Sequence, residues 1–226
     1  MKNVLLLLLF LTIATVNAQK RTKWQKIFDG KTTQNWHSYH KTNVEGWTVA
    51  HNVLTTDGKK GDLVTDAEFE NFEFEFEFMA SAKGNSGVIY KVIEDPKNAT
   101  YYTGPEYQII DDEGYPPSND NGKLVSINNK QKTGACYDMY EPMAKVVKPA
   151  GEWNKGRIIV VDNRVEHWLN GVKVIDYEYG SEDWKMHLAV SKFAKWGYAK
   201  PHSSGHIALQ GHGDPVSYRK LKIRKL

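Results

Sequence analysis

Between Asn71 and Tyr90 the chain reads NFEFEFEFMASAKGNSGVIY, and the order of apolar and charged positions there predicts the architecture around it. Phe72, Phe74, Phe76 and Phe78 alternate with Glu73, Glu75 and Glu77. A period of two puts all four rings on one side of a pleated strand and the carboxylates on the other, whereas a helical period would scatter both sets. Burying each ring is worth roughly 1.5–3 kcal/mol, which a lone strand cannot achieve, so a facing sheet is required, as in a β-sandwich. The glutamate side is expected to be solvated. A turn through Gly84-Asn85-Ser86-Gly87 leads to a second strand, Val88 to Val92.

The same reasoning extends along the chain. Glu45 to Val49 and Val53 to Thr55 flank Ala50-His51-Asn52 as a hairpin, with Trp36 in an earlier loop, and Gly61 to Thr65 reads as a strand. Further strands are expected over Glu106 to Ile110, Gly134 to Asp138, a buried Met186 to Phe193, His206 to Gln210 and Ser217 to Leu226. Arg157 to Val161, Arg164 to Leu169 and Val172 to Tyr177 form a meander, turning at Asp162-Asn163 and at Asn170-Gly171, a pair that tolerates positive φ. The polar stretch Asp111 to Gln131 is long for a compact domain and is expected either to be functional itself or to cover a site. With no helical periodicity over three turns and no internal repeat, the chain is predicted to be all-β.

The N-terminus, MKNVLLLLLFLTIATVNA, has an early lysine, a short apolar run and small residues before position 19. It reads as a signal peptide over residues 1–18 with cleavage after Ala18, leaving one domain over 19–226. Export to the periplasm or the extracellular space is expected. The apolar run is short for a membrane span and no cysteine follows the cleavage site, so no stable membrane anchor is expected. Cys136 is the single cysteine, which excludes an intrachain disulfide and leaves stability to the core. The net charge of +3 is too small to suggest a polyanionic partner. The basic tail from Arg219 to Lys225 alternates with Leu221 and Ile223 as a closing strand, so no nucleic-acid partner is expected.

Candidate chemistry follows from the strand faces. If Tyr107 and Ile109 face the core, Glu106 and Gln108 project from the opposite face, where a carboxylate and an amide could hold a sugar hydroxyl or move a proton. His212 stands between two glycines in Gly211-His212-Gly213-Asp214-Pro215, a setting that suits a ligand-facing imidazole. His206 and His212 lack a third ligand at a recognisable spacing, so no metal is expected, and no cofactor motif is present. Phosphate-binding, GxSxG and HExxH motifs are absent. Trp168 is expected to pack across strands, whereas Trp196, in a loop, suits stacking on a sugar. Lys192, at an expected strand end, could bind an oxyanion or simply be solvated.

Several ordered motifs resemble one family. They are IFDGKTTQNW (27–36), GDLVTDAEFENFEFEFEF (61–78), KGNSGVIYK (83–91), GPEYQIIDD (104–112), GACYDMY (134–140), GEWNKGRIIV (151–160), VEHWLNG (165–171) and GHIALQGHGDPVSYRKLKIRKL (205–226). Together they resemble the 3-keto-disaccharide hydrolase family over nearly all of the chain after the leader. The resemblance implies a concanavalin-like jelly-roll β-sandwich of two antiparallel sheets and a glycosidase-type activity on 3-keto-glycosides or 3-keto-disaccharides. It also implies a carbohydrate substrate supplied by a sugar-oxidising enzyme upstream.

A ketone at C3 acidifies the proton on C2. A base can remove that proton, the glycosidic oxygen leaves C1 by β-elimination with an acid's help, and water then adds to the enone. This route needs a base, an acid and a cradle for the enolate oxygen, not the paired carboxylates of ordinary glycosidases. Glu106 is assigned as base or hydroxyl ligand, His212 as acid or oxyanion donor, and Lys192 as the group polarising the C3 carbonyl. Gln108, Asp62, Asn85, Lys91, Tyr137, Trp196 and Asp214 are assigned to substrate binding. Lys91 departs from the arginine that the family pattern leads one to expect, and lysine lacks arginine's planar bidentate fork. The alternative is a lectin-like module with an open aromatic platform and Glu106 far from His212. A surface-structural sandwich would instead leave Glu106 and Gln108 on a flat wet face.

Overall fold

A computed structural model describes residues 22–199 and 202–226; the expected signal peptide and its cleavage point lie outside the described residues. Two antiparallel sheets face each other. The larger has eight strands. It runs from one edge through Val172–Glu178, Arg164–Leu169, Asn154–Val161, Phe72–Ala80, Val216–Lys225, Val53–Thr56 and Trp47–Ala50, with Gln25–Lys26 also paired to Val216–Lys225. The smaller runs through Trp36–Ser38, Leu63–Thr65, His206–Leu209, Asn85–Val92 and Glu106–Ile110. This is the expected jelly-roll sandwich.

The phenylalanine strand lies inside the large sheet, between Asn154–Val161 and Val216–Lys225. Its four rings are fully buried and meet Val88, Tyr90, Tyr107 and Ile109 of the small sheet in one core. Phe76 stacks on Phe74 at 5.1 Å and receives the edge of Tyr107 at 5.3 Å. Gly156 is the cross-strand partner of Phe76, and a Cβ there would sit 2.3 Å from the ring. The glycine is therefore what lets the ring lie flat against its neighbour.

The glutamate side is not solvated as expected. Glu73 is only 2% exposed and Glu75 8%. Glu73 accepts from Arg157 and Arg224, Glu75 pairs with Lys155 at 3.0 Å and Lys222 at 2.9 Å, and Glu77 with Arg219 at 2.7 Å and Lys220 at 2.8 Å. Indole rings cover these cations: Trp168 over Arg157 at 4.1 Å, Trp153 over Arg219 at 3.9 Å and Trp24 over Lys222 at 4.3 Å. Flanking strands of opposite charge thus turn a row of carboxylates into a covered ion-pair ladder.

Two other expectations fail. Met186 to Phe193 is not a buried strand. Glu182–Ala189 is an α-helix followed by a 3-10 turn, Lys192–Lys195, and Met186 and Val190 are exposed. Ser181 caps the helix by accepting from Trp184 N, and Glu182 and Asp183 occupy its positive first turn. Gly134 to Asp138 is not a strand either, because positive φ at Gly134 (88°) and Asp138 (60°) coils the chain at both ends. Trp36 begins a short buried strand, not a loop, and its indole donates to Ile27 O at 2.6 Å. Cys136 is fully buried, and burial pushes its thiol up to about 12.

Candidate active site

The outer face of the small sheet divides in two. Val64, Ile89, Val92 and Ala208 form an apolar patch under Tyr39. Beyond it, Glu106, Gln108, Asn85 and Gln210 project into a cavity of about 250 Å³ completed by Tyr101, Tyr137, Lys192, Phe193, Trp196 and His212. Alternation on Glu106–Ile110 is the cause. Tyr107 and Ile109 are fully buried in the core, Tyr107 O–H donating to Trp168 O at 3.1 Å, so Glu106 and Gln108 must point away from it.

Glu106–Ile110 is the last strand of its sheet, and its free edge is closed by the coil that follows Thr133. Gln108 N donates to Ala135 O at 3.1 Å, Gly134 N to Gln108 O at 2.9 Å and Tyr137 N to Glu106 O at 3.0 Å. That coil carries Tyr137 into the cavity. It is held from behind by His167, whose Nδ1 lies 3.1 Å from Gly134 O. Burial holds the His167 imidazole down to about 4, so the ring is neutral. Nδ1 then donates to the carbonyl and Nε2 accepts from Tyr90 O–H at 2.8 Å.

Burial raises the Glu106 carboxyl to about 8; the charge of Lys192 draws it back down and that of Asp62 pushes it up. Lys192 sits at the start of the 3-10 turn with its backbone N–H on Asp138 (2.9 Å) and its Nζ 4.3 Å from the Tyr137 ring centre. Trp196 lies flat on Tyr102 with centroids 4.1 Å apart, extending an aromatic side of the cavity that Tyr101 and Phe193 continue. Asn85 Oδ1 and Gln210 Oε1 are buried without a hydrogen-bond partner, and both residues line the cavity. Two orphaned acceptors beside a carboxyl suit a ligand rich in hydroxyl donors.

Of the expected site residues, the structure brings Glu106, Gln108, Asn85, Tyr137, Lys192, Trp196 and His212 to one cavity. Asp62 and Asp214 stand behind it, not in its lining. Asp62 accepts from Thr100 Oγ1 and from Gly211 N (2.9 Å), fixing the residue before His212, and Asp214 accepts from Asn85 N at 3.2 Å. Lys91 is a correction: it is buried at the opposite end of Asn85–Val92, 5.9 Å from the Tyr179 ring and under the fields of Glu70 and Asp162. A bulge opposite His206 and Ala208 with φ of 55° at Lys91 turns it there. Trp168 lies on the far sheet over Arg157 and shares no platform with Trp196.

Sequence reasoning missed Tyr101, Phe193 and Gln210. Gln210 alternates with Ala208 and His206, so strand parity could have found it; Tyr101 sits in a short 3-10 turn, Thr100–Tyr102, whose sequence gives no such signal. A larger cavity of about 580 Å³ opens beside Phe28, His51 and Leu221, but its Arg219, Lys220 and Lys222 already pair with Glu77 and Glu75.

Comparison with known proteins gives the family and the fold. The chain is 34% identical over 229 residues to a 3-keto-disaccharide hydrolase of Bacteroides thetaiotaomicron, across 88% of this chain and 77% of the relative. A crystal structure of a putative glycosyl hydrolase from Parabacteroides distasonis superposes with a TM-score of 0.84 at 38% identity, covering 90% of this chain and 94% of that one. A Bacillus subtilis protein of galectin-like fold, with a TM-score of 0.53 at 10% identity over 92% of this chain and 96% of that one, shares the sandwich alone. The profile of the 3-keto-alpha-glucoside-1,2-lyase-like domain matches residues 23–224, and the chain belongs to that family.

Proposed function

We propose that this protein cleaves the glycosidic bond of 3-keto-glycosides by removing the C2 proton, expelling the C1 oxygen by β-elimination and adding water to the enone. The observation that carries the reading is Glu106, a buried carboxyl with its proton affinity raised toward neutral pH, lining the same cavity as His212 and Lys192. A base works best when its pKa lies near the working pH, and burial supplies that match. Once ionised, Glu106 takes the C2 proton. Lys192, on the same cavity, stabilises the charge that builds on the C3 oxygen as the enolate forms. His212, exposed at the cavity mouth, protonates the departing oxygen. Gln108, Asn85 and Gln210 bind ring hydroxyls, and Trp196 with Tyr101 offers an apolar side to the sugar ring.

The substrate's ketone has to be installed by oxidation of a C3 hydroxyl, so a sugar-oxidising activity upstream is part of the proposal. Export, which the apolar run near the N-terminus supports, is another part. The lectin-like alternative called for an open aromatic platform shared by Trp168 and Trp196; Trp168 lies over Arg157 on the large sheet, whereas Trp196 follows the 3-10 turn Lys192–Lys195 and lines the cavity. Incubation with a 3-ketoglucoside and with the unoxidised glucoside tests the reading. Cleavage of the keto compound alone, lost in Glu106→Gln, is expected. Binding of glycans with no cleavage of either would overturn it.

A further inference from the structure

The cavity that holds Glu106 continues into a second chamber of about 320 Å³. Asn85, Gln108, Tyr137 and His212 line both. The chambers differ in chemistry. Glu106, Lys192, Gln210 and the aromatic side belong to the first. The second is walled by Tyr115, Pro116, Ser126, Ile127, Asn128 and Gln131, with no carboxylate, lysine or arginine among its lining residues.

This division orders a substrate. The carbon that loses its proton has to sit by Glu106 and the ketone by Lys192, so the oxidised ring occupies the first chamber. His212 belongs to both, which puts the bond to be broken at the junction and the departing group in the second chamber. Hydroxyl and amide side chains interleaved with Tyr115, Pro116 and Ile127 present hydrogen bonds and apolar contact together, the combination a neutral sugar ring uses. Apart from His212 at the junction, a charged departing group would meet no counter-ion there.

The wall is built, not slack. Asn128 caps the turn Asn129–Gln131 by accepting from Lys130 N at 2.8 Å, and Gln131 returns the bond by accepting from Asn128 N at 2.9 Å. Gln131 Nε2 also donates to Tyr137 O–H at 3.3 Å. Asp111 accepts from Lys83 N (2.8 Å) and Gly114 N (3.0 Å), anchoring the segment to the turn before Asn85. From this base the hairpin Ser118–Asp120 with Lys123–Val125 overhangs the chamber.

We propose that the second chamber is the leaving-group subsite, that it takes a neutral sugar, and that the segment from Tyr115 to Gln131 sets the preference for disaccharides over simple glycosides. The assignment rests on the proposed cleavage reaction. Two variants test it: Ser126→Trp, which fills the chamber, and replacement of residues 117–126 by a short Gly-Ser linker. The first keeps the test intact should the second fail to fold. Each is assayed on a 3-keto-disaccharide and on methyl 3-ketoglucoside. The expected result is that kcat/KM for the disaccharide falls at least tenfold more than for the methyl glycoside. Equal losses on both substrates, or no loss on either, would overturn the subsite. A wild-type protein that cleaves neither substrate would instead remove the reaction itself, and the subsite with it.

Discussion

Glu106 occupies space that Gly87 leaves open: a Cβ on Gly87 would lie 2.3 Å from Glu106 Oε1. The two residues sit on adjacent strands, Gly87 opposite Gln108 in the ladder. The absence of one methyl group therefore fixes where the proposed base can rest.

Gly87→Ala should displace the carboxylate, because a side chain yields before two paired backbones do. We expect kcat/KM on a 3-ketoglucoside to fall roughly a hundredfold, as for other misplacements of about 1 Å, with about 1 kcal/mol lost in stability. Gly156→Ala should behave oppositely, since its new methyl would meet the rigid ring of Phe76 at 2.3 Å. It should lower the melting temperature and leave the folded fraction's activity intact. Steady-state assays beside thermal melts separate the two.

Holding Glu106 in the cavity works against folding at neutral pH. Its pKa rises from 4.5 to about 8, so the folded state binds the proton more tightly than the unfolded chain does. The sign follows: the penalty is absent below about pH 4.5, grows as the unfolded state ionises, and levels off above 8. Glu106→Gln should therefore be inactive yet more stable than wild type at pH 7, by up to about 3 kcal/mol. Equal stability at pH 5 and pH 8 in a variant-minus-wild-type comparison would contradict this.

The same carboxyl should shape the pH dependence of activity. As a base it works ionised, so kcat/KM should rise with pH along a limb centred near 8. Lys192 lowers the Glu106 pKa by its charge, so Lys192→Met should move the limb to higher pH as well as reduce the maximum. A limb that stays in place or moves to lower pH would separate Lys192 from Glu106.

Glu73 holds two arginines on the far face of the large sheet. Glu73→Gln should cost about 2–3 kcal/mol, less than for a fully dry pair because both guanidinium groups retain some contact with water. Glu75 and Glu77 have their carboxyls held below the usual range by hydrogen bonds and charge from their lysine and arginine partners, against the opposing effect of burial. A lowered folded pKa means stability that is present above the ordinary value of 4.5 and lost as pH falls through the folded one. Melting temperature should accordingly drop on acidification below about pH 4.5, and Glu73→Gln, which leaves Glu75 and Glu77 in place, should retain that drop.

Much of the sandwich was legible because its signals are local. The Phe–Glu alternation, the Asn170-Gly171 turn and the parity of Glu106 with Gln108 each depend on neighbours within a few residues. What stayed hidden depends on partners far along the chain. Nothing near Glu73 announces Arg224, so its side read as wet. Lys91 carries strand parity until a bulge opposite His206 reverses it. The helix Glu182–Ala189 was concealed by its apolar residues, although Ser181-Glu182-Asp183 already spelled a capped first turn. The cavity itself was half visible: parity selected Glu106, Gln108 and, unused, Gln210, but Tyr101 reaches it from the short 3-10 turn Thr100–Tyr102, which no period announces.

The central claim is that the C2 proton is removed before the glycosidic bond breaks. A 3-ketoglucoside carrying deuterium at C2 tests this directly, with cleavage and label followed together by NMR and a no-enzyme control for spontaneous exchange. Slower turnover than for the unlabelled substrate and loss of deuterium from the released sugar are expected, both abolished in Glu106→Gln. Deuterium retained at C2 with an unchanged rate would show direct hydrolysis at C1 and contradict the claim.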